Sequence, residues 1–201
     1  MGKLDEKKKQ KKEALLQAAF SLFTTKGIED TSISEIVREA GMAKGTFYLY
    51  FKDKYDLRDK LIVHKATGLF RQALEQMMME KLPELEDKVI FLADFIINHF
   101  HENPIVLRFI ARNLSWGVFQ HMLVSETEDS SGYRFYDAYG ALLKESGRSF
   151  RNPDLMLYMI VELINSTCHN VILMEEPVTL DVLKPELYGV IRDIIRRMEN
   201  D

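Results

Sequence analysis

The 201 residues are enough for one large domain or two small ones, with a core that needs no disulfide or structural metal. Hydrophobic residues at 46% and charged residues at 29% describe an ordinary globular chain and exclude intrinsic disorder, and the lone Cys168 excludes an internal disulfide framework and a Cys-rich zinc site. No run of 18 apolar residues occurs, so no membrane span is expected; residues 14–23, interrupted by Gln17 and Ser21, make a poor signal-peptide core, and the expected location is the cytoplasm. The net charge of −4 hides an asymmetry. Residues 1–60 carry 13 Lys/Arg against 10 Asp/Glu, and the remainder 14 against 21. A basic first third on an acidic body points to a polyanionic partner for the first third only. Lys7, Lys8, Lys9, Lys11 and Lys12 are either a solvated tail or an arm for a phosphate backbone.

Helical periodicity runs through nearly the whole chain, and no alternating strand pattern persists. Leu15, Ala18, Ala19, Leu22 and Phe23 form one apolar helix face that Gly27 ends. The run Ser32-Ile33-Ser34-Glu35 is a capping box, followed by a buried stripe of Ile33, Ile36, Val37 and Ala40 and a stop at Gly41. Residues 45–51 can make two further turns, with Phe47 and Phe51 one turn apart and facing inward. Asp53 caps a fourth helix that can extend to about residue 81. Pro83, Pro104 and Pro153 each open a helix, the last two behind a capping Asn. Residues 125–132 and 145–152 read as loops, residues 155–174 as a long apolar helix, and residues 185–199 as the final one. The fold class is therefore all-α, with about nine helices: a three-helix N-terminal domain over residues 1–52 and a larger helical domain over residues 53–201.

A short capped helix, a Gly-containing turn and a second short helix make a helix-turn-helix, whose second helix must offer its outer face to a major groove about 12 Å wide. Lys44, Thr46, Tyr48 and Tyr50 lie off the inward Phe47–Phe51 face and provide an ammonium, a hydroxyl and two phenols for phosphates and base edges. Lys52 and Lys54 sit where the free amides of helix four also favour an anion.

The stretch Thr31-Ser32-Ile33-Ser34-Glu35-Ile36, continued by Gly41-Met42-Ala43-Lys44-Gly45-Thr46-Phe47-Tyr48-Leu49-Tyr50-Phe51-Lys52-Asp53-Lys54-Tyr55-Asp56-Leu57, resembles the DNA-binding signature of the TetR family of transcriptional regulators. The resemblance covers about residues 12–60. It implies that Lys44, Gly45, Thr46, Tyr48, Leu49 and Tyr50 form the DNA face and that Ser32, Ser34, Lys52 and Lys54 touch or approach phosphates. Ala43 departs from the Ser often found there to cap the recognition helix. The resemblance further implies a homodimer that represses from a palindromic operator in duplex DNA and is released by a small molecule.

In the larger domain the last two helices are apolar enough to form a four-helix interface with a second copy, with Leu187, Ile191 and Ile194 on the seam, although the same residues could be internal core. Helix eight carries a polar stripe of Tyr158, Glu162, Asn165 and His169, which could line a pocket, cross a dimer interface or face water. With Phe95, Trp116, Phe119 and Tyr136 these residues make up the expected ligand pocket, for an apolar or aromatic effector; Glu162 leaves a cationic one open. Cys168 reads as a buried small hydrophobe. No nucleophile elbow, phosphate loop, dinucleotide fingerprint or HExxH motif occurs, so neither a catalytic residue, a cofactor nor a metal is expected. The rival readings are an all-helical enzyme and a helical protein-interaction module.

Overall fold

The computed structural model describes residues 3–113 and 135–200, over which the chain forms nine α-helices. These are α1 (Lys3–Thr25), α2 (Ile33–Glu39), α3 (Lys44–Phe47), α4 (Lys54–Met77), α5 (Leu85–Glu102), α6 (Pro104–Asn113), α7 (Phe135–Glu145), α8 (Pro153–Met174) and α9 (Leu180–Met198). Among the described residues the extended pairing amounts to one isolated bridge, between Phe150 and Glu199.

The chain divides into two compact units within α4, between Ala66 and Thr67, where the helix-turn-helix motif suggests residue 52. The first half of α4 belongs with the helix-turn-helix because its side chains are committed there. Leu57, Leu61 and Ile62 are fully buried, His64 pairs with Glu13 of α1 at 3.3 Å, and the Lys65 ammonium lies 4.5 Å from the Phe20 ring centre. The core of this unit is Leu15, Ala19, Ile36, Phe47 and Phe51 from α1, α2 and the α3 region, closed by those α4 residues. Gly27 and Gly41, with φ of +90° and +67°, make the left-handed turns that end α1 and α2.

The start of α2 is fixed by local hydrogen bonds. Ser32 Oγ accepts from the Glu35 amide at 3.2 Å, and the Glu35 carboxylate accepts from the Ser32 amide at 2.9 Å. Lys26 Nζ, 2.5 Å away, and these Ser32 contacts hold the Glu35 carboxyl down at about 2. Ser32→Ala is expected to cost about 1 kcal/mol in urea unfolding of the full chain at neutral pH. Because the Glu35 pKa is depressed by folding, its contribution is complete above pH 4.5 and is lost as the pH falls towards 2. An unchanged unfolding midpoint in the variant would show that the cap contributes nothing.

In the second unit α8 packs against α9 and α5, and α9 against α5. Asn152 caps α8 by accepting from the Leu155 amide at 3.0 Å, with Pro153 in the first turn. The final helix starts earlier than Pro185 suggests. Thr179 takes the N-cap position and Pro185 lies inside α9, where its ring removes one amide donor near the N-terminal end. Helix α4 stops at Met77, short of residue 81, and leaves Met78 and Met79 exposed beyond it.

Helix α8 differs from the expectation that no segment qualifies as a membrane span: by length and composition it is long and apolar enough. Its inward face, however, buries Met156, Leu157, Ile160, Cys168 and Val171 within its own unit, and its outward face carries Glu162, Asn165 and His169. It packs against α9 and α5 of that unit. Burial pushes the Cys168 thiol up to about 11, the state of an inert, packed thiol.

The seam expected from Leu187, Ile191 and Ile194 is corrected by burial. Leu187 and Ile191 are 3% and 0% exposed within a single chain, so they are core, and Ile194 is half-buried beside them. An amphipathic helix shows which face is apolar without showing which neighbour covers it; here the cover is the chain's own α8 and α5. The apolar residues that α9 leaves in solvent are Val182 and Val190.

Candidate nucleic-acid interface

The reading element is short. Helix α3 spans four residues, Lys44–Phe47, and the chain continues in tight turns through Phe51, with the Tyr50 and Phe51 amides both donating to the Phe47 carbonyl at 3.0 Å. The Ala43 N-cap makes no side-chain hydrogen bond, so the α3 amides are left to other acceptors. Phe47 at 0% and Phe51 at 2% exposure anchor the inner side, their rings 5.5 Å apart. Anchoring that side fixes the opposite one.

On the outer side Lys44, Gly45, Tyr48 and Leu49 are exposed, and Thr46 and Tyr50 are half-buried. Tyr48 stands edge-on to Phe47 at 5.4 Å, which sets the direction of its phenol while leaving the residue 54% exposed. Leu49 is 80% exposed, a large apolar side chain with no internal use. A Cβ built at Gly45 would meet no heavy atom within 4 Å, so nothing within the protein requires glycine there. Tyr50 holds its ring against Phe51 at 6.3 Å, and its carbonyl accepts from Lys60 Nζ at 3.2 Å.

Around this face the expected phosphate ligands separate into two groups. Ser34 and Lys52 are both open to solvent. Ser32 is exposed too, although its hydroxyl donates to the Glu35 carboxylate at 2.7 Å as part of the cap. Lys54 is the correction. Its ammonium donates to the carbonyls of Ile28, Glu29 and Thr31 at 2.9, 2.9 and 3.3 Å, which uses all three hydrogens to tie the α1–α2 loop to the start of α4. Tyr55 reinforces this tie through its hydroxyl on Glu29 at 3.0 Å. The start of α4 is capped by Asp53, which accepts from the Tyr55 and Asp56 amides at 2.8 Å, and Asp56 in turn accepts from the Lys52 amide at 2.8 Å.

The residues expected to form a ligand pocket are not gathered into one place. Phe95 lines an open groove along α5 together with Phe91, Asp94, Asn98, His99 and Glu102. Tyr158, Glu162, Asn165 and His169 instead occupy the outward face of α8, because the opposite face is filled by core residues. Trp116, Phe119 and the Tyr136 side chain lie outside the described residues. Sequence reasoning missed the polar cluster at the edge of the groove. Asp94 accepts from Lys184 at 2.8 Å, from the Tyr188 hydroxyl and from Asn98 at 2.9 Å. Burial would raise the Asp94 carboxyl, but these donors hold it below its ordinary value; burial and the Asp94 charge together push the Tyr188 phenol up. The four residues tie α5 to α9 across 86 to 94 positions of chain, a separation that local pattern does not reveal. Among the described residues no three His, Cys, Asp or Glu side chains gather as metal ligands.

This geometry agrees with what the chain resembles. Residues 15–61 match the model for bacterial regulatory proteins of the tetR family. An uncharacterised HTH-type transcriptional regulator of Bacillus subtilis, YvdT, is 38% identical over 102 residues, 48% of this chain and 50% of its own length. The fatty acid metabolism regulator protein of the same organism is 34% identical over 95 residues, 47% of this chain and 46% of its own length. The chain thus spans about half the length of these curated relatives. Over the whole fold it is similar to the fatty acid degradation regulator FadR of Bacillus halodurans, with a TM-score of 0.65, 20% identity and coverage of 89% of this chain and 96% of that one. Bacillus subtilis FadR, solved in complex with stearoyl-CoA, gives a TM-score of 0.63 at the same identity and coverage. At that identity the likeness carries the fold alone. Residues 15–61 thus match the tetR-family DNA-binding region, and the fold of the chain is similar to that of solved regulators of that family.

Proposed function

We propose that this chain is a ligand-responsive transcriptional regulator that binds a palindromic operator in duplex DNA as a homodimer in the cytoplasm, represses from it, and leaves it when a small apolar molecule binds the second unit. The observation that carries the reading is the α3 region: an exposed outer face of Lys44, Gly45, Tyr48 and Leu49 on an inner face locked by Phe47 and Phe51. Such a face has the charge and hydrogen-bonding groups for a major groove and the rigidity to keep register.

A reading element this short contacts few base pairs, so a two-fold dimer is needed to lengthen the site. The second unit offers the surface: Val182 and Val190 of α9 and Leu155 and Tyr158 of α8 are apolar or aromatic and exposed. For the effector, the relatives concerned with fatty acids make long-chain acyl thioesters the first class to test.

Purified protein incubated with fragmented genomic DNA should select discrete palindromic sites, with affinity falling steeply as salt rises. Titrating acyl-CoA thioesters of increasing chain length into that complex should release the DNA. Binding that is equal for all sequences at every salt concentration would end the regulator reading, and operator affinity unmoved by saturating acyl-CoA would end the acyl assignment alone.

A further inference from the structure

A threonine inside a helix has a ready use for its hydroxyl, the carbonyl one turn back. Thr24 and Thr25 of α1 and Thr167 of α8 all take it, donating to Phe20, Ser21 and Leu163 at 2.7, 2.8 and 2.7 Å. Thr67 of α4 does not. Its Oγ1 is buried, yet it has no hydrogen-bond partner among the described residues. The polar side chains one turn to either side are engaged elsewhere, His64 with Glu13 at 3.3 Å and Arg71 with Glu75 at 4.0 Å. The residues that share its stripe at helical spacing are Val63, Phe70, Leu74 and Met77, the last three buried. Without the bond back to its own helix, the oxygen is left for a partner outside α4. A buried hydroxyl with no partner costs stability, and valine would fill the same shape without that cost.

We propose that the Thr67 hydroxyl is the polar anchor of the effector site, donating its hydrogen to the thioester carbonyl oxygen of a long-chain acyl-CoA. The inference rests on the effector reading above and adds the contact by which the second unit recognises that molecule. An acyl thioester joins a chain that gains from apolar surroundings to a head group that stays with water. The one polar group carried inward with the chain is its carbonyl, which accepts a hydrogen bond and cannot donate one. A single buried donor on an apolar stripe answers that group. A free fatty acid would bring a full negative charge to the same place, where a lone hydroxyl offers no counter-charge. The position also suits a response. Thr67 is the first residue of the second unit along α4, directly after Ala66, where the two units divide. A bond made to Thr67 is therefore made to the same helix whose first half closes the helix-turn-helix core with Leu57, Leu61 and Ile62.

Thr67→Val, which keeps the shape and removes the hydroxyl, tests the anchor against two ligands. Stearoyl-CoA should bind the variant about fivefold more weakly than the wild type in calorimetric titration of the full chain. Its thioether analogue octadecyl-CoA, in which a methylene replaces the carbonyl, should bind the two proteins alike, because no acceptor is left to lose. Thr67→Ser, which keeps the hydroxyl, should retain the preference for thioester over thioether. Without ligand, Thr67→Val should melt at or above the wild type, since no internal hydrogen bond is lost. A variant that melts lower would show the hydroxyl already paired inside the protein and would overturn the proposal. Equal weakening for both ligands, or no weakening for either, would overturn it too, while the binding of stearoyl-CoA would leave the effector reading in place. A wild type that does not bind stearoyl-CoA at all would overturn that reading, and the anchor with it.

Discussion

Replacing Arg148 with alanine should destabilise the second unit by about 3 kcal/mol. Arg148 stands in the turn between α7 and α8 and is half-buried. Its guanidinium donates to Glu199 through Nε and Nη2 at 2.8 and 2.7 Å and to Glu86 through Nη1 at 2.7 Å. Glu86, at the start of α5, is 6% exposed, so removing the arginine leaves a buried carboxylate with only Arg196, 3.8 Å away and largely in solvent, to answer it. The same joint closes the chain end: the Arg151 amide donates to the Met198 carbonyl at 2.9 Å and the Asn200 amide to the Ser149 carbonyl at 2.9 Å. Arg148→Lys should recover part of the loss, since an ammonium keeps the charge but not the fork. Arg148→Ala combined with Glu86→Leu should be more stable than Arg148→Ala alone, because no charge is then buried unpaired. The guanidinium holds the Glu199 carboxyl below its ordinary value, so that contact stabilises fully above pH 4.5 and is lost as the pH falls through the lowered pKa. The acid limb of stability against pH should therefore be shallower in Arg148→Ala. Urea unfolding from about pH 3 to 7 measures both effects; a variant that unfolds at the wild-type midpoint would show that the joint is ornamental to stability.

The contrast between Arg148 and Ser32 shows what a sequence can disclose. Ser32 and Glu35 satisfy each other three residues apart, Gly27 and Gly41 end helices at their own positions, and Phe47 and Phe51 fall on one face of one turn. Each of these is decided by its immediate neighbours, so the helix-turn-helix is legible down to single residues. Arg148 lies in a polar stretch that reads as a plain loop, and its partners are 62 and 51 positions distant. Lys54 looks like a phosphate ligand for the same reason: nothing local says that the loop at Ile28 to Thr31 returns to take all three of its hydrogens. Leu187 and Ile191 do form an apolar stripe, yet periodicity is silent on whether the cover comes from α8 of the same chain or from a second copy. The pocket set is the least legible, because Phe95 and the α8 stripe belong to different faces that only the packing of α5, α8 and α9 distinguishes.

The second large effect falls on DNA affinity and separates reading residues from supporting ones. Gly45→Ala should leave the fold intact, or stabilise α3 slightly, because the added methyl meets nothing within 4 Å. On the proposed interface the same methyl projects into the space that a backbone phosphate or base edge must enter, so operator affinity should fall by at least about tenfold. Tyr48→Ala removes a phenol aimed outward by its edge contact with Phe47, and the expected loss is about 1–3 kcal/mol of operator binding. Lys44→Ala at the first residue of α3 should relax preference at one position of each half-site by a similar amount. Lys54→Ala should behave differently from all three. Its hydrogens are spent on carbonyls, so it should lower the melting temperature of the protein and leave the salt dependence of DNA binding at the wild-type slope. A lysine that bound phosphate would instead reduce that slope by about one counterion. Fluorescence anisotropy with the selected operator, over a series of salt concentrations and alongside thermal melts, distinguishes these outcomes. If Gly45→Ala and Tyr48→Ala both bind like the wild type, the outer face of α3 is not the reading surface. If Lys54→Ala melts like the wild type but loses salt dependence, its contacts with the α1–α2 loop give way to phosphate when DNA binds.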